Sequence, residues 1–215
     1  MSTGVTLYYV HDPMCSWCWG FAPVLAELES RLPADLPVRR LLGGLAPDTH
    51  EPMPEAMRGY IQDAWRQIQR RIPGTEFNFD FWTRCRPRRA TYPACRAVIA
   101  ARRQGAQYDR AMTRAIQVAY YTRALNPSDD ETLIGLAAEL GLDAARFARD
   151  LKAPDVQEAL EAEIALARSL DVESFPSLVL ETRTGPHPIA VDYRDSGPML
   201  ERILKLWEME RQRDA

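Results

Sequence analysis

A chain of 215 residues that is 46% hydrophobic and 27% charged is long enough to bury an ordinary core, as one large domain or two small ones. Its formal net charge of -3 carries no overall basic footprint for nucleic acid, and no apolar run approaches the roughly 18 residues of a membrane-spanning helix. Nucleic-acid binding and membrane insertion are therefore set aside. The local basic run Arg84-Cys85-Arg86-Pro87-Arg88-Arg89 reads as a solvated loop or helix start rather than an anion site. A strand that opens at Val5 leaves no room for a cleavable leader, so the expected compartment is the reducing cytoplasm. Four cysteines in that setting point to catalysis, metal binding or packing before a structural disulfide.

In chain order, residues 5–10 (Val-Thr-Leu-Tyr-Tyr-Val) are rich in β-branched and aromatic types and predict a buried strand. A helix is predicted over 19–32, with Phe21, Leu25, Leu28 and Leu32 on one face. A proline-bounded turn over 33–37 leads to a second strand at 38–42, which makes a βαβ unit with right-handed parallel pairing. Gly43-Gly44 ends that strand, and Pro47, Pro52 and Pro54 mark a loop. A helix over 55–71 follows, then an aromatic run over 77–82 that plugs a hydrophobic surface. Helices are next predicted over 92–104, 107–123, 129–140, 143–151 and 154–170, with Ser128, Gly141 and Pro154 as boundary signals. Strand character returns at 177–181, with a turn over 182–188 and a partner strand at 189–191. A last helix spans about 198–211. The predicted class is α/β, with a βαβ half at 1–48, an all-helical insertion at 49–170 and a ββα half at 171–215.

Cys15-Ser16-Trp17-Cys18 sits where the first strand gives way to the first helix. A helix start offers free backbone N–H groups and a partial positive charge. Both favour thiolate, the form that attacks disulfides. Cys18 lies one helical turn on and can close a disulfide with Cys15, so the residues point to dithiol–disulfide chemistry. Cys-x-x-Cys also chelates zinc or iron. Two further ligands would have to come from Cys85, Cys95 and His11, and the cysteines among them are ten residues apart with no second Cys-x-x-Cys. No metal is expected.

The element order, Cys15-Ser16-Trp17-Cys18 and Ser174-Phe175-Pro176-Ser177 together resemble the thioredoxin superfamily. They resemble in particular its DsbA-like branch, in which a helical domain interrupts the thioredoxin fold, and the cytoplasmic FrnE-like disulfide oxidoreductases or isomerases within it. The resemblance implies that Cys15 is the exposed nucleophile and Cys18 the partly buried resolving cysteine. It implies that Pro176 is a cis-proline facing them, with the backbone before it pairing with an extended substrate. Trp17, Phe175 and Pro176 become candidate substrate-binding residues. The substrate would be a disulfide- or thiol-containing protein or small molecule. No bound cofactor is implied beyond an external thiol or glutathione as electron partner. Phe175 stands where many relatives carry a smaller Val or Thr, and Tyr9 occupies the region where several hold a buried acid. A glutathione-dependent isomerase or transferase, and a non-enzymatic redox-sensing module, are the other functions such a scaffold allows.

The nearest acid, Asp12, reads as a helix-entry turn residue. Cys95 lies on an apolar helical face and reads as a core thiol. Cys85 sits among arginines that would lower its pKa if it were exposed, and His11 reads as a hydrogen-bonded structural histidine.

Overall fold

The computed structural model describes residues 4–213. Its sheet has four strands in the order β2-β1-β3-β4: β1 (Thr6–His11), β2 (Val38–Leu42), β3 (Ser177–Thr182) and β4 (Gly185–Ile189). β1 pairs parallel with β2, as the crossover helix between them requires, and antiparallel with β3; β3 and β4 form a hairpin. Period-2 alternation divides β1 between two layers. Val5, Leu7 and Tyr9 pack with helices α1 (Ser16–Arg31) and α9 (Gly197–Gln212) on one face. Tyr8 and Val10 pack with Leu170, Val172 and the end of α8 (Pro154–Ser169) on the other.

Between β2 and β3 run α2 (Glu55–Arg71), α3 (Phe81–Arg84), α4 (Tyr92–Arg102), α5 (Tyr108–Tyr121), α6 (Asp130–Glu139), α7 (Ala144–Asp150) and α8. Their core is organised on Trp65, which is fully buried and in ring contact with Phe77, Phe79, Phe81, Trp82, Tyr120 and Tyr121. The aromatic run after α2 does plug a hydrophobic surface. Two side chains stitch this helical segment to the sheet side. The Leu42 N–H at the end of edge strand β2 donates to the Glu163 carboxylate on α8 (2.8 Å), and Trp19 Nε1 donates to the Glu76 carbonyl (3.0 Å).

Three local expectations are corrected. The hairpin turn is shorter than predicted, so β4 covers 185–189 instead of 189–191. Pro186 and Pro188 are tolerated because β4 is an edge strand, where a missing ladder donor costs little. Gly185, at φ +115°, makes the tight reversal that a side chain would resist. Helix α1 begins at Ser16, three residues earlier than predicted, so the cysteine motif lies within its first turn. Pro23 inside α1 removes the N–H that would bond the Trp19 carbonyl. His11 is buried with neither ring nitrogen hydrogen-bonded; it stacks on Tyr9 at 4.8 Å with a 3° interplanar angle.

Burial, followed by the nearby Arg40 and Arg102 guanidinium groups, pushes the His11 pKa down to about 3. Those arginines are themselves held by Glu29, Glu163 and Asp109. Below the ordinary value of 6.5 the unfolded chain binds a proton that the folded chain refuses, so stability falls as pH drops from 6.5 towards about 3. His11→Phe keeps the stack and removes the proton. Urea titrations should show the variant losing less stability than the parent between neutral pH and about pH 4.5, by on the order of 2 kcal/mol; equal losses would assign the acid sensitivity elsewhere.

Candidate active site

Cys15 is the N-cap of α1, with extended backbone at φ -80° and ψ 116°, and no side chain caps this helix end. The first-turn N–H groups are therefore open to the sulfur itself. Both cysteines are more buried than the resemblance implies: Cys15, expected to be exposed, is 7% exposed, and Cys18, expected to be partly buried, is 0% exposed, so Cys15 is the one of the two that an incoming substrate can reach. The two thiols split in acidity. The Cys18 thiol, donating to Cys15, holds the Cys15 pKa below the ordinary cysteine value, and the N–H groups of Cys18 and Trp17 assist; burial and the Asp12 carboxylate oppose them. Burial, and then the neighbouring Cys15 sulfur, push Cys18 well above that value. One ready thiolate next to one retained proton is the arrangement dithiol exchange needs.

Across from the motif, the Phe175–Pro176 peptide bond is cis. When protonated, the Cys15 thiol donates to the Phe175 carbonyl oxygen (3.4 Å). The Phe175 ring lies over Gly43, where an added Cβ would fall 2.0 Å from Phe175 Cζ. The glycine doublet after β2 thus leaves room for a large residue before the proline. Trp17 is half-buried and packs on Tyr193 at 5.3 Å, with the Arg71 guanidinium over both rings. The structure therefore brings Cys15, Cys18, Phe175 and Pro176 together, and Trp17 flanks them.

Asp12 has a larger part than its sequence position suggested. Its Oδ1 accepts from Met14 N–H (2.8 Å), the turn bond expected of it, and its carbonyl accepts from Cys15 N–H (3.0 Å). Its Oδ2 accepts from Leu45 N–H (2.8 Å) and the Thr91 hydroxyl (2.6 Å), with the Cys95 thiol at 3.6 Å. Thr91, the residue that precedes α4, gave no signal in the sequence. Cys95 is a core thiol, fully buried, its pKa pushed well up by burial and Asp12. Cys85 does not meet the condition of exposure under which its arginines would lower its pKa. It is half-buried, donates to the Ala124 carbonyl (3.2 Å), and burial raises its pKa despite Arg84. Of the arginines around it, Arg88 is turned to Asp129 (2.7 Å) and the Ser128 carbonyl. Among the described residues no cluster of three or more His, Cys, Asp or Glu side chains is placed to hold a metal ion.

Comparison with known proteins agrees with this geometry. A family profile described as Thioredoxin matches residues 8–185. The chain belongs to the thioredoxin family. Among solved structures, a Nitrosomonas europaea protein provisionally assigned as a protein disulfide isomerase is 28% identical, with a TM-score of 0.80 over 96% of this chain and 98% of that one. The cytosolic disulfide reductase DsbM from Pseudomonas aeruginosa is 25% identical, with a TM-score of 0.71 over 97% of this chain and 98% of its own. DsbA oxidoreductases at lower identity share the fold. The ClpXP adapter protein SpxH of Bacillus subtilis is 25% identical over 80% of this chain and 56% of that protein, so the chain spans about half the length of this curated relative. Among the described residues no helix is long and apolar enough to cross a membrane.

Two substitutions test the site's construction. Asp12→Asn removes the negative charge that opposes the Cys15 thiolate, and turns an amide group toward donors at Leu45 and Thr91. The pH profile of Cys15 alkylation should move to lower pH, with a stability loss on the order of 1–3 kcal/mol; an unmoved profile would leave Asp12 a turn residue only. Gly43→Ala should cost on the order of 1–3 kcal/mol by overpacking against Phe175. Most of that loss should be recovered when Gly43→Ala is combined with Phe175→Val. An additive double variant would mean that the ring does not set the need for glycine.

Proposed function

We propose that this protein is a thiol–disulfide oxidoreductase in which Cys15 is the nucleophile and Cys18 the resolving cysteine. The observation that carries the reading is the asymmetry of the pair at the start of α1: a partly accessible thiol held below its ordinary pKa, and a sealed one pushed above it. The Cys15 thiolate attacks one sulfur of a substrate disulfide, breaking the S–S bond and releasing one substrate thiolate. Cys18 then gives up its proton and attacks the Cys15 sulfur. The mixed disulfide breaks, the second substrate thiol leaves, and the Cys15–Cys18 bond closes. Two electrons pass from protein to substrate. An external dithiol, or two equivalents of a monothiol such as glutathione, returns them. The likeness to DsbM, a cytosolic disulfide reductase also solved with glutathione, supports reduction or isomerisation in a reducing compartment. The likeness to a disulfide isomerase assignment supports the same chemistry on protein substrates.

In this reading Phe175 and Pro176 form one wall of the substrate groove and Trp17 another. The Phe175 carbonyl, which takes the Cys15 proton's bond in the resting dithiol, faces the position of the incoming sulfur. The likeness to SpxH favours a second reading, a partner-binding adapter whose redox pair reports the state of the cell. An adapter would exchange slowly with model disulfides and bind a partner differently in its oxidised and reduced forms.

Turnover of insulin or bis(2-hydroxyethyl) disulfide, coupled to glutathione, decides between the two. Cys15→Ser should lower it by about a hundredfold or more. Cys18→Ser should instead trap a mixed disulfide at Cys15, seen as an added substrate mass. Full activity in Cys15→Ser would remove the oxidoreductase assignment.

A further inference from the structure

A second cavity of ≈ 650 Å³ opens beside the redox motif, between the start of α1, the loop after α2, α5 and the loop before α9. Its apolar walls are Trp19, Ile72, Val118 and Tyr193. Tyr193 connects it to the cysteines, because the ring packs on Trp17 at 5.3 Å, and after burial the two cysteine sulfurs push its hydroxyl pKa up. This volume matches a ligand the size of a small peptide.

Two guanidinium groups, Arg114 and Arg194, line it, and a third, Arg71, packs on its Tyr193 wall. Arg114 lies over the Trp19 ring at 4.4 Å, Arg71 over Trp17 and Tyr193 at 5.6 and 5.5 Å, and Arg194 donates to the Arg71 carbonyl (2.9 Å). No ion pair is formed by any of the three among the described residues. The larger cavity beside α6 and α8 is different, since its Arg88, Arg96 and Lys152 are each paired with an aspartate. Two acids lie near the smaller cavity. Glu76 lines it, with its backbone carbonyl accepting from Trp19 Nε1, and the Asp192 carboxylate accepts from the backbone N–H groups of Arg194 and Asp195 and lies within the field of the Arg194 and Arg71 guanidinium groups. A guanidinium stacked on an aromatic ring uses its face and leaves its in-plane N–H groups free, the geometry that grips a carboxylate with two bonds. Positive charge, aromatic walls and an adjacent thiolate therefore meet in one place.

We propose that this cavity is a subsite for the carboxylate-bearing part of an anionic disulfide, with Arg71 and Arg114 as the carboxylate clamps and Arg194 as the supporting cation. This rests on the assignment of Cys15 and Cys18 as the redox pair and adds the charge class of the substrate. Substrates would be acidic small disulfides, discriminated from neutral or cationic ones of equal reactivity.

Two readouts separate this subsite from the redox assignment. In the first, kcat/KM is compared for oxidised glutathione, bis(2-hydroxyethyl) disulfide and cystamine. Oxidised glutathione should be favoured by about tenfold over the neutral compound at low salt, with cystamine last. In Arg71→Gln/Arg114→Gln the ratio of oxidised glutathione to neutral compound should fall by about fivefold or more, while Arg71→Lys/Arg114→Lys retains most of it. The ratio is internal to one folded protein, so a general loss of activity does not mimic the effect. In the second, S-methylglutathione, which cannot exchange, is titrated against tryptophan fluorescence. Binding should saturate and weaken by about fivefold between about 20 and about 300 mM salt. Turnover with an unchanged ratio in the glutamine variant, or no salt-sensitive binding of S-methylglutathione, overturns the subsite and leaves the redox pair standing. Saturable binding in a protein that exchanges no disulfide overturns the redox pair and keeps the site.

Discussion

One buried carboxylate holds the reactive end of this molecule in a single arrangement. Asp12 is fully buried and accepts hydrogen bonds from the motif loop at Met14, from the loop after β2 at Leu45, and from Thr91 at the approach to α4. Three segments separated in sequence therefore converge on two oxygens. Burial pushes the Asp12 pKa up, and the hydrogen bonds it accepts pull it back. The carboxylate is thus costly to bury and costly to leave unsatisfied, so it specifies one geometry for the loops around it. That geometry presents Cys15 at the start of α1.

The redox pair is a second case of opposed terms. Both cysteines are largely desolvated, which disfavours a thiolate on either. The helix start and the Cys18 proton tip the balance at Cys15 alone. Once Cys15 is charged, its field and hydrogen bond hold the proton on Cys18. Attack and resolution are ordered by this difference. The cis-proline loop adds the carbonyl that the Cys15 thiol faces, and Gly43 makes the space that lets a phenylalanine stand before the proline.

The sequence disclosed what is contiguous or periodic. Cys15 to Cys18 between a β-rich run and an apolar helical face, the helical segment after β2, and the late Ser-Phe-Pro-Ser all carry their signal within a few residues. What it withheld is contact between distant segments. Nothing in Gly43 announces Phe175, nothing in Arg114 or Tyr193 announces that they share a cavity wall with Trp19, and nothing in Arg71 announces that it packs on Tyr193. The second hairpin strand was misplaced because Pro186 and Pro188 read as turn residues, and only the sheet order shows that they lie on an edge. The arginines beside Cys85 in sequence say nothing of its burial, which outweighs the charge of Arg84; its sulfur is turned to Ala124. His11 was expected to have a partner and instead stacks on Tyr9.

The most direct test is to equilibrate the protein with glutathione buffers of graded poise and locate every disulfide by mass. The account requires a reversible bond between Cys15 and Cys18, formed and broken with the poise, while Cys85 and Cys95 stay free. A protein in which those two never join, or in which Cys85 or Cys95 takes the place of either, would contradict it.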